Sequence, residues 1–249
     1  MSNPVEIINS GKKTGGNIRL RRAKTGDAVV VLICCFLILI YLLPFINIIS
    51  RSLSSPNALV NNRVSFFPVE FTLDSYAYVL ADAAFSRSLV FTAILTVICT
   101  VVSLVMTVLC AYPLTFDYLK GRGVFNILII LTMYFNAGTI PNYLLMRQLN
   151  LLDKPLVLVL PGCLSVFNMI ILRSFFWGIP ESLRESAELD GAGPVTVLLK
   201  IYLPLSTPVL ATLALFYAVG RWNGFSDALM YITNAKYQPV QVKLWQILH

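Results

Sequence analysis

The sequence predicts an all-α protein, a polytopic bundle of transmembrane helices, and two observations carry that reading. Of 249 residues, 57% are hydrophobic and only 12% charged, with a mean hydropathy of +0.76, a balance too apolar for a soluble chain of this length. The charges are also segregated. They leave five charge-free stretches, at about residues 28–49, 88–115, 123–146, 155–172 and 201–220, against the roughly 20 residues that an α-helix needs to cross a bilayer.

Residues 1–27 precede the first run as a basic tail, with Lys12, Lys13, Arg19, Arg21, Arg22 and Lys24, several glycines and no apolar periodicity. Such a segment is expected to be disordered or to lie along the membrane surface. The run 28–49 exceeds the apolar core of a cleaved signal peptide, and no small-residue cleavage site follows before Arg51, so it is expected to stay as a span. By the positive-inside rule the N-terminus is cytoplasmic, and alternation through the later spans returns residues 178–204 to the same side. The net charge of +7 does not point to nucleic acid, because six of the nineteen basic residues sit in this tail.

The longest loop, 51–87, carries Phe66-Phe67-Pro68 and then a short amphipathic pattern at Leu73, Tyr76, Ala77 and Leu80. That pattern suits either a helix resting on the membrane interface or a docking element for an external protein. The third and fourth runs are interrupted, by Asn136-Ala137-Gly138 with Pro141 and by Pro161-Gly162 with Asn168. Irregular backbone and amides at membrane depth are tolerated where they are buried in protein or line a wet cavity; packing of small residues between helices is the alternative for Gly138 and Gly162. The fourth run is short, and Arg173 and Trp177 stand where interfacial anchors usually do.

Between the fourth and fifth runs lies a polar loop, about residues 178–204. Pro180 suits the first turn of a helix, with Glu181 and Glu185 in its N-terminal half, and this helix is predicted to end near Leu189. Gly191 and Gly193 permit positive φ at a bend, Pro194 opens a second helix over Val195 to Leu203, and Leu203-Pro204 ends or kinks it.

The loop resembles the cytoplasmic coupling loop of the inner-membrane permeases of bacterial ABC importers, whose pattern is E-A-A, three residues, G, nine residues, then I-x-L-P. Glu185-Ser186-Ala187, Gly191, Ile201 and Leu203-Pro204 fall at those spacings, with Ser186 in place of the first alanine. Phe71-Thr72-Leu73 with Tyr76 resembles the element that follows the first span in sugar-type members, and the likeness runs from about Phe71 to Leu248. It is strongest toward permeases of the maltose-type second subunit that carry oligosaccharides from plant polysaccharides. The resemblance implies a type I importer permease with Glu185, Ala187, Asp190, Gly191, Ile201, Leu203 and Pro204 in the ATPase-coupling loop. It also implies a homologous second permease, a cytoplasmic ABC ATPase dimer and an external solute-binding protein as partners, and a sugar or oligosaccharide as cargo, in the bacterial cell membrane. Such permeases usually have six spans; no sixth is visible after Gly220, so a truncated chain is expected.

Sugar recognition asks for aromatic faces beside amides and hydroxyls, which Asn136, Tyr143, Asn168, Tyr217, Trp222 and Asn223 supply near the interrupted segments. Aromatic residues near span ends also serve as interfacial belt or packing. No catalytic, metal or cofactor site is expected: His249 is the sole histidine, Cys34, Cys35, Cys99, Cys110 and Cys163 all lie in apolar runs, and no phosphate-binding P-loop pattern exists. ATP hydrolysis is therefore assigned to partner subunits. A secondary carrier is disfavoured because none of the five runs holds an ionisable residue. Amino-acid or inorganic-ion cargo is the alternative within the ABC class.

Overall fold

A computed structural model describes residues 25–248. The basic cluster from Lys12 to Lys24 and His249 lie outside the described residues, and with them the tail expected to set the orientation. All regular structure among the described residues is helical, apart from one isolated bridge between Ser54 and Phe71. The chain divides into two compact units, residues 1–77 and 78–249.

In the first unit, α1 (Thr25–Ser52) exposes every side chain from Val29 to Ile46, as an apolar helix in lipid does. At its end Ser50 and Ser54 are buried and hold the following loop. The Ser50 hydroxyl donates to the Phe66 carbonyl (2.6 Å), and the Ser54 hydroxyl accepts from the Val69 N–H (3.0 Å). Ser55 caps the short α2 (Pro56–Val60) through the Ala58 N–H. The amphipathic pattern around Leu73 and Tyr76 is the helix α3 (Asp74–Ala81), which runs across the division between the units and buries none of its residues.

The second unit is organised around α4 (Ala83–Ala111), a helix of 29 residues capped by Asp82. Its packed face is built from small polar and apolar groups: Ser88, Thr92, Leu95, Thr96, Cys99, Ser103 and Thr107 are all buried. Each hydroxyl that donates to the carbonyl one turn back, as Thr92 does to Ser88 and Thr107 to Ser103, needs no water at membrane depth. Small residues also let neighbouring helices approach closely.

The interrupted runs are each divided into shorter helices. Run 123–146 is not one helix but α5 (Arg122–Tyr134) and α6 (Thr139–Gln148), bent by 114°. The cause is local: the Asn136 carboxamide accepts from the Gly138 N–H (2.9 Å), and Gly138 turns at φ +89°. Run 155–172 contains α7 (Leu156–Val159) and α8 (Val166–Trp177), separated around Pro161-Gly162, with Ser165 capping α8. After α9 (Glu181–Leu189) and α10 (Pro194–Val197), a π-helical turn (Leu198–Tyr202) and α11 (Leu203–Leu205) lead at an 82° bend into α12 (Thr207–Trp222). The bend falls between Pro204 and Pro208, which withhold two backbone donors. The chain continues through α13 (Ser226–Tyr231) and α14 (Val240–Leu248).

By length and composition α1 and α4 can each cross a membrane alone, the two bent pairs can each serve as a broken span, and α8 is a shorter apolar helix. Arg173 and Trp177, read as interfacial anchors, meet each other on α8: the Arg173 guanidinium lies 4.5 Å from the centre of the Trp177 ring and donates to Asn126, while the indole N–H donates to the Thr115 carbonyl (2.7 Å).

Candidate functional site: the polar knob and the cavity of the helix bundle

The polar loop is a knob of two helices around a hydrogen-bonded stop. At the end of α9 the Gly191 N–H donates to the Glu188 carbonyl (3.0 Å) and the Ala192 N–H to the Ala187 carbonyl (2.9 Å), with Gly191 at φ +81°. This is the Schellman closure, in which a left-handed residue lets the chain turn back and satisfy two orphan carbonyls. Ala187 thus contributes its carbonyl to the turn that Gly191 makes. Gly193, expected at positive φ, is extended at φ −75°, because one left-handed residue completes the reversal. The second helix is shorter than the Val195 to Leu203 expected. It gives way at Leu198 to the π-helical turn, whose wider winding places Tyr202 in the core and leaves Ile201 and Leu203 partly buried against it.

Glu185, Asp190 and Pro204 are exposed. So are the apolar side chains of Leu183, Leu189, Val195 and Leu199, Leu189 at 89%. Four apolar residues displayed on a polar knob form a surface suited to contact with another protein. Arg184 pairs with Glu181 (2.5 Å) and Glu188 (2.8 Å) on the same helix. The hydrogen bonds it donates to Glu181 and then to Glu188 push its ionisation above the ordinary arginine range.

The residues expected to face a sugar separate into three places. Asn168 and Tyr217 line one cavity of about 340 Å³, together with Cys99, Ser103, Ser165 and Arg221. Trp222 and Asn223 border a different, more open recess beside Thr96. Asn136 and Tyr143 line neither: Asn136 caps its own turn, and Tyr143 stacks on Tyr231 at 6.2 Å. In the larger cavity Tyr217 acts as a brace. Its hydroxyl accepts from the Ser165 N–H (3.1 Å). Because Thr107 spends its own proton on the Ser103 carbonyl (2.6 Å), the Tyr217 hydroxyl donates to Thr107 (2.7 Å). One side chain of α12 so ties α4 to the start of α8. Asn168 is buried, and its carboxamide makes no hydrogen bond among the described residues.

Arg221 and Asp227 were not singled out from the sequence. Their side chains pair at 2.6 Å and 3.1 Å, and Arg221 also donates to the Leu158 carbonyl (3.1 Å), joining the end of α12 to α7 and α13. A signal was available: a lone arginine directly after a charge-free run, with a glycine three residues on and an aspartate six residues on. Among the described residues no group of histidine, cysteine or acidic side chains is placed to hold a metal, and the cysteines are free thiols.

A helix bundle with apolar spans, a braced polar cavity and a protruding two-helix knob defines a membrane permease subunit. Residues 77–249 match the model of the binding-protein-dependent transport system inner membrane component, and the chain belongs to that family. It is 43% identical over 208 residues to Protein LplC of Bacillus subtilis, covering 84% of this chain and 70% of that protein. It is 40% identical over 210 residues to the polygalacturonan/rhamnogalacturonan transport system permease protein YtcP of the same organism, covering 84% and 73%. Among solved structures, a bacterial ABC transporter involved in the import of the acidic polysaccharide alginate superposes with a TM-score of 0.84 at 37% identity, over 90% of this chain and 81% of that one. The protein is thus a multi-pass inner-membrane permease of an ABC importer. Its family implies a solute-binding protein and an ATPase as partners.

Proposed function

We propose that this permease carries a sugar or oligosaccharide, delivered by an external binding protein, and that residues 178–204 are the cytoplasmic seat of the ATPase. The observation that carries the reading is the knob itself: a Schellman-closed two-helix loop showing Leu183, Leu189, Val195 and Leu199 to a partner. Glu185, Ala187, Asp190 and Gly191 form its docking face and bend, and Ile201, Leu203 and Pro204 join it to the bundle. A homologous second permease completes the pathway, and an ATPase dimer grips one knob from each. Closure of that dimer on ATP moves the knobs as rigid bodies and turns the cavity outward.

The sugar assignment draws on relatives whose cargoes are polygalacturonan, rhamnogalacturonan and alginate, and on the cavity between α4, α8 and α12. Its free Asn168 amide and the Ser103 hydroxyl lie beside the apolar face of Phe216, the mixture that a sugar ring asks for. Tyr217 supports this wall; Asn136, Tyr143, Trp222 and Asn223 serve along the rest of the route. The N-terminus lies in the cytoplasm, on the same side as the knob.

Reconstitution of the complete complex in proteoliposomes tests the reading. Uptake should require ATP on the knob side and the binding protein, stay unchanged with a protonophore, and be stimulated by oligosaccharide. Uptake driven by a proton or sodium gradient without ATP would refute transport by this mechanism. ATP-driven uptake stimulated only by amino acids or ions would refute the sugar assignment alone.

A further inference from the structure

Helix α9 reaches the bundle through very little. Of its nine residues only Arg184 and Ala187 are half-buried, and the other seven are exposed to a greater degree. Ala187 offers one methyl group, so the long contact is the side chain of Arg184, which is 13% exposed. Its guanidinium carbon lies 5.5 Å from the centre of the Phe116 ring and 5.9 Å from that of Tyr118, both within cation–π reach. Those two rings stack on each other at 5.3 Å. Glu181 and Glu188 grip the fork from the α9 side, so its position is fixed from both directions.

Behind Phe116 stands a box of rings. Tyr112 meets Phe116 edge to face at 4.9 Å and Tyr202 at 5.2 Å, and Tyr202 meets Phe176 at 5.3 Å. These rings follow α4, lie on α8 and sit in the π-helical turn before α12, the three helices that wall the cavity. The second knob helix is fastened to the same box: the Tyr112 hydroxyl donates to the carbonyl of Pro194, the first residue of α10 (2.9 Å). Both helices of the knob so reach the bundle by one polar contact each, and both contacts end on the same set of buried rings, beside a recess of about 330 Å³ that Phe116, Phe176, Tyr202 and Arg184 help to line. Rings in edge-to-face contact pass a displacement from one to the next.

We propose that Arg184, with the aromatic box of Tyr112, Phe116, Phe176 and Tyr202, is the joint through which movement of the knob reaches the cavity-lining helices. Arg184 is a positioning residue: it holds α9 in register with the box and makes no contact with cargo. The proposal rests on the reading of the knob as the ATPase seat. An arginine is suited to this place because its planar fork can span two carboxylates while its face lies on a ring.

The test uses the complete complex in proteoliposomes and reads two quantities: sugar moved per ATP hydrolysed, and ATPase bound per permease. Arg184→Gln and Tyr112→Phe should each lower the sugar moved per ATP by roughly two- to thirty-fold, the span over which residues along a coupling route act, with the ATPase still bound. The double variant should lose less than the product of the two, since both act on one box. Tyr112→Phe removes only a hydroxyl and keeps the proposal testable if the Arg184→Gln permease itself fails to fold into the membrane. An unchanged ratio in both variants overturns the proposal. Loss of bound ATPase in step with uptake in Arg184→Gln also overturns it, because Arg184 would then belong to the seat. Gly191→Val judges the seat separately: if bound ATPase and uptake both survive it, the reading of the knob fails whatever Arg184 does.

Discussion

Replacing Gly224 by alanine should cost far more than a methyl group at a surface turn. A Cβ on Gly224 would stand 2.7 Å from Cζ and 3.1 Å from Nε of Arg221, and nearer still to Nη2. An arginine head usually swings aside. This one is held by Asp227 at 2.6 Å and 3.1 Å, by the Leu158 carbonyl at 3.1 Å and by the Gly224 carbonyl at 3.4 Å. Its side chain is 10% exposed, while that of Asp227 is 36% exposed, so water screens one end of the pair. Breaking a fully buried pair costs about 3–5 kcal/mol and an exposed one at most about 1 kcal/mol; the half-screened case here should cost about 2–3 kcal/mol. The assay is reversible unfolding of the purified permease in mixed micelles, run as a double-mutant cycle with Arg221→Met. Arg221→Met removes the guanidinium atoms nearest to the methyl, and Gly224→Ala should then cost less than about 0.5 kcal/mol, the scale of ordinary surface changes. An alanine that is silent in the wild-type background, or equally costly in both, would refute the steric argument.

Two further predictions follow from other ends of the fold. The Asp153 carboxylate accepts from the Thr233 hydroxyl (2.7 Å), the Thr233 N–H (2.6 Å) and the Asn234 N–H (2.9 Å), and these bonds, the Thr233 side chain foremost, hold its carboxyl below the usual carboxylate range. A carboxyl depressed on folding adds stability that is fully present above its unfolded pKa, about 4, and is lost as the pH falls through the lower folded value. Amide protection at Thr233 and Asn234, corrected for intrinsic exchange, should therefore hold from neutral pH to about 4 and fall below it; Asp153→Asn should abolish the pH dependence, and a transition unchanged in that variant would remove Asp153 as its cause. For topology, single cysteines at Asn61 and Thr196 in a cysteine-free background should be labelled and unlabelled, respectively, by an impermeant thiol reagent on intact cells. The opposite pattern would reverse the orientation.

Much of the architecture was legible because membranes simplify the code. Charge-free length marks α1 and α4 directly, since lipid offers no partner for a charge or a free backbone group. Punctuation marked the knob as well: Pro180 stands one residue before α9, and Gly191 is the left-handed residue that closes it. Hydropathy reported the other runs as single segments, because a window average cannot see a turn made by apolar-flanked Asn136 and Gly138, or by Ser165 capping α8. Glycine's freedom to adopt positive φ pointed to one bend residue too many at Gly193, for a Schellman stop needs a single left-handed residue and the second glycine is then free to extend.

Residues whose role depends on who stands opposite them were the least legible. Composition flags Asn168, Tyr217, Trp222 and Asn223 alike, yet Asn168 turns an unpaired amide toward a cavity while the Tyr217 hydroxyl is spent on Thr107 and Ser165, 110 and 52 residues away. Arg221 falls one residue beyond a charge-free run, where its charge alone gives no role, and its partners are Asp227 and the carbonyl of Leu158. An arginine side chain buried at the edge of an apolar run cannot be left without an acceptor at tolerable cost, so its presence implies a carboxylate nearby. The first acidic residue after it in the chain is Asp227. Reading a membrane sequence by its charges therefore gains most from the few that stand at the edges of the apolar runs, because each of those must name a partner.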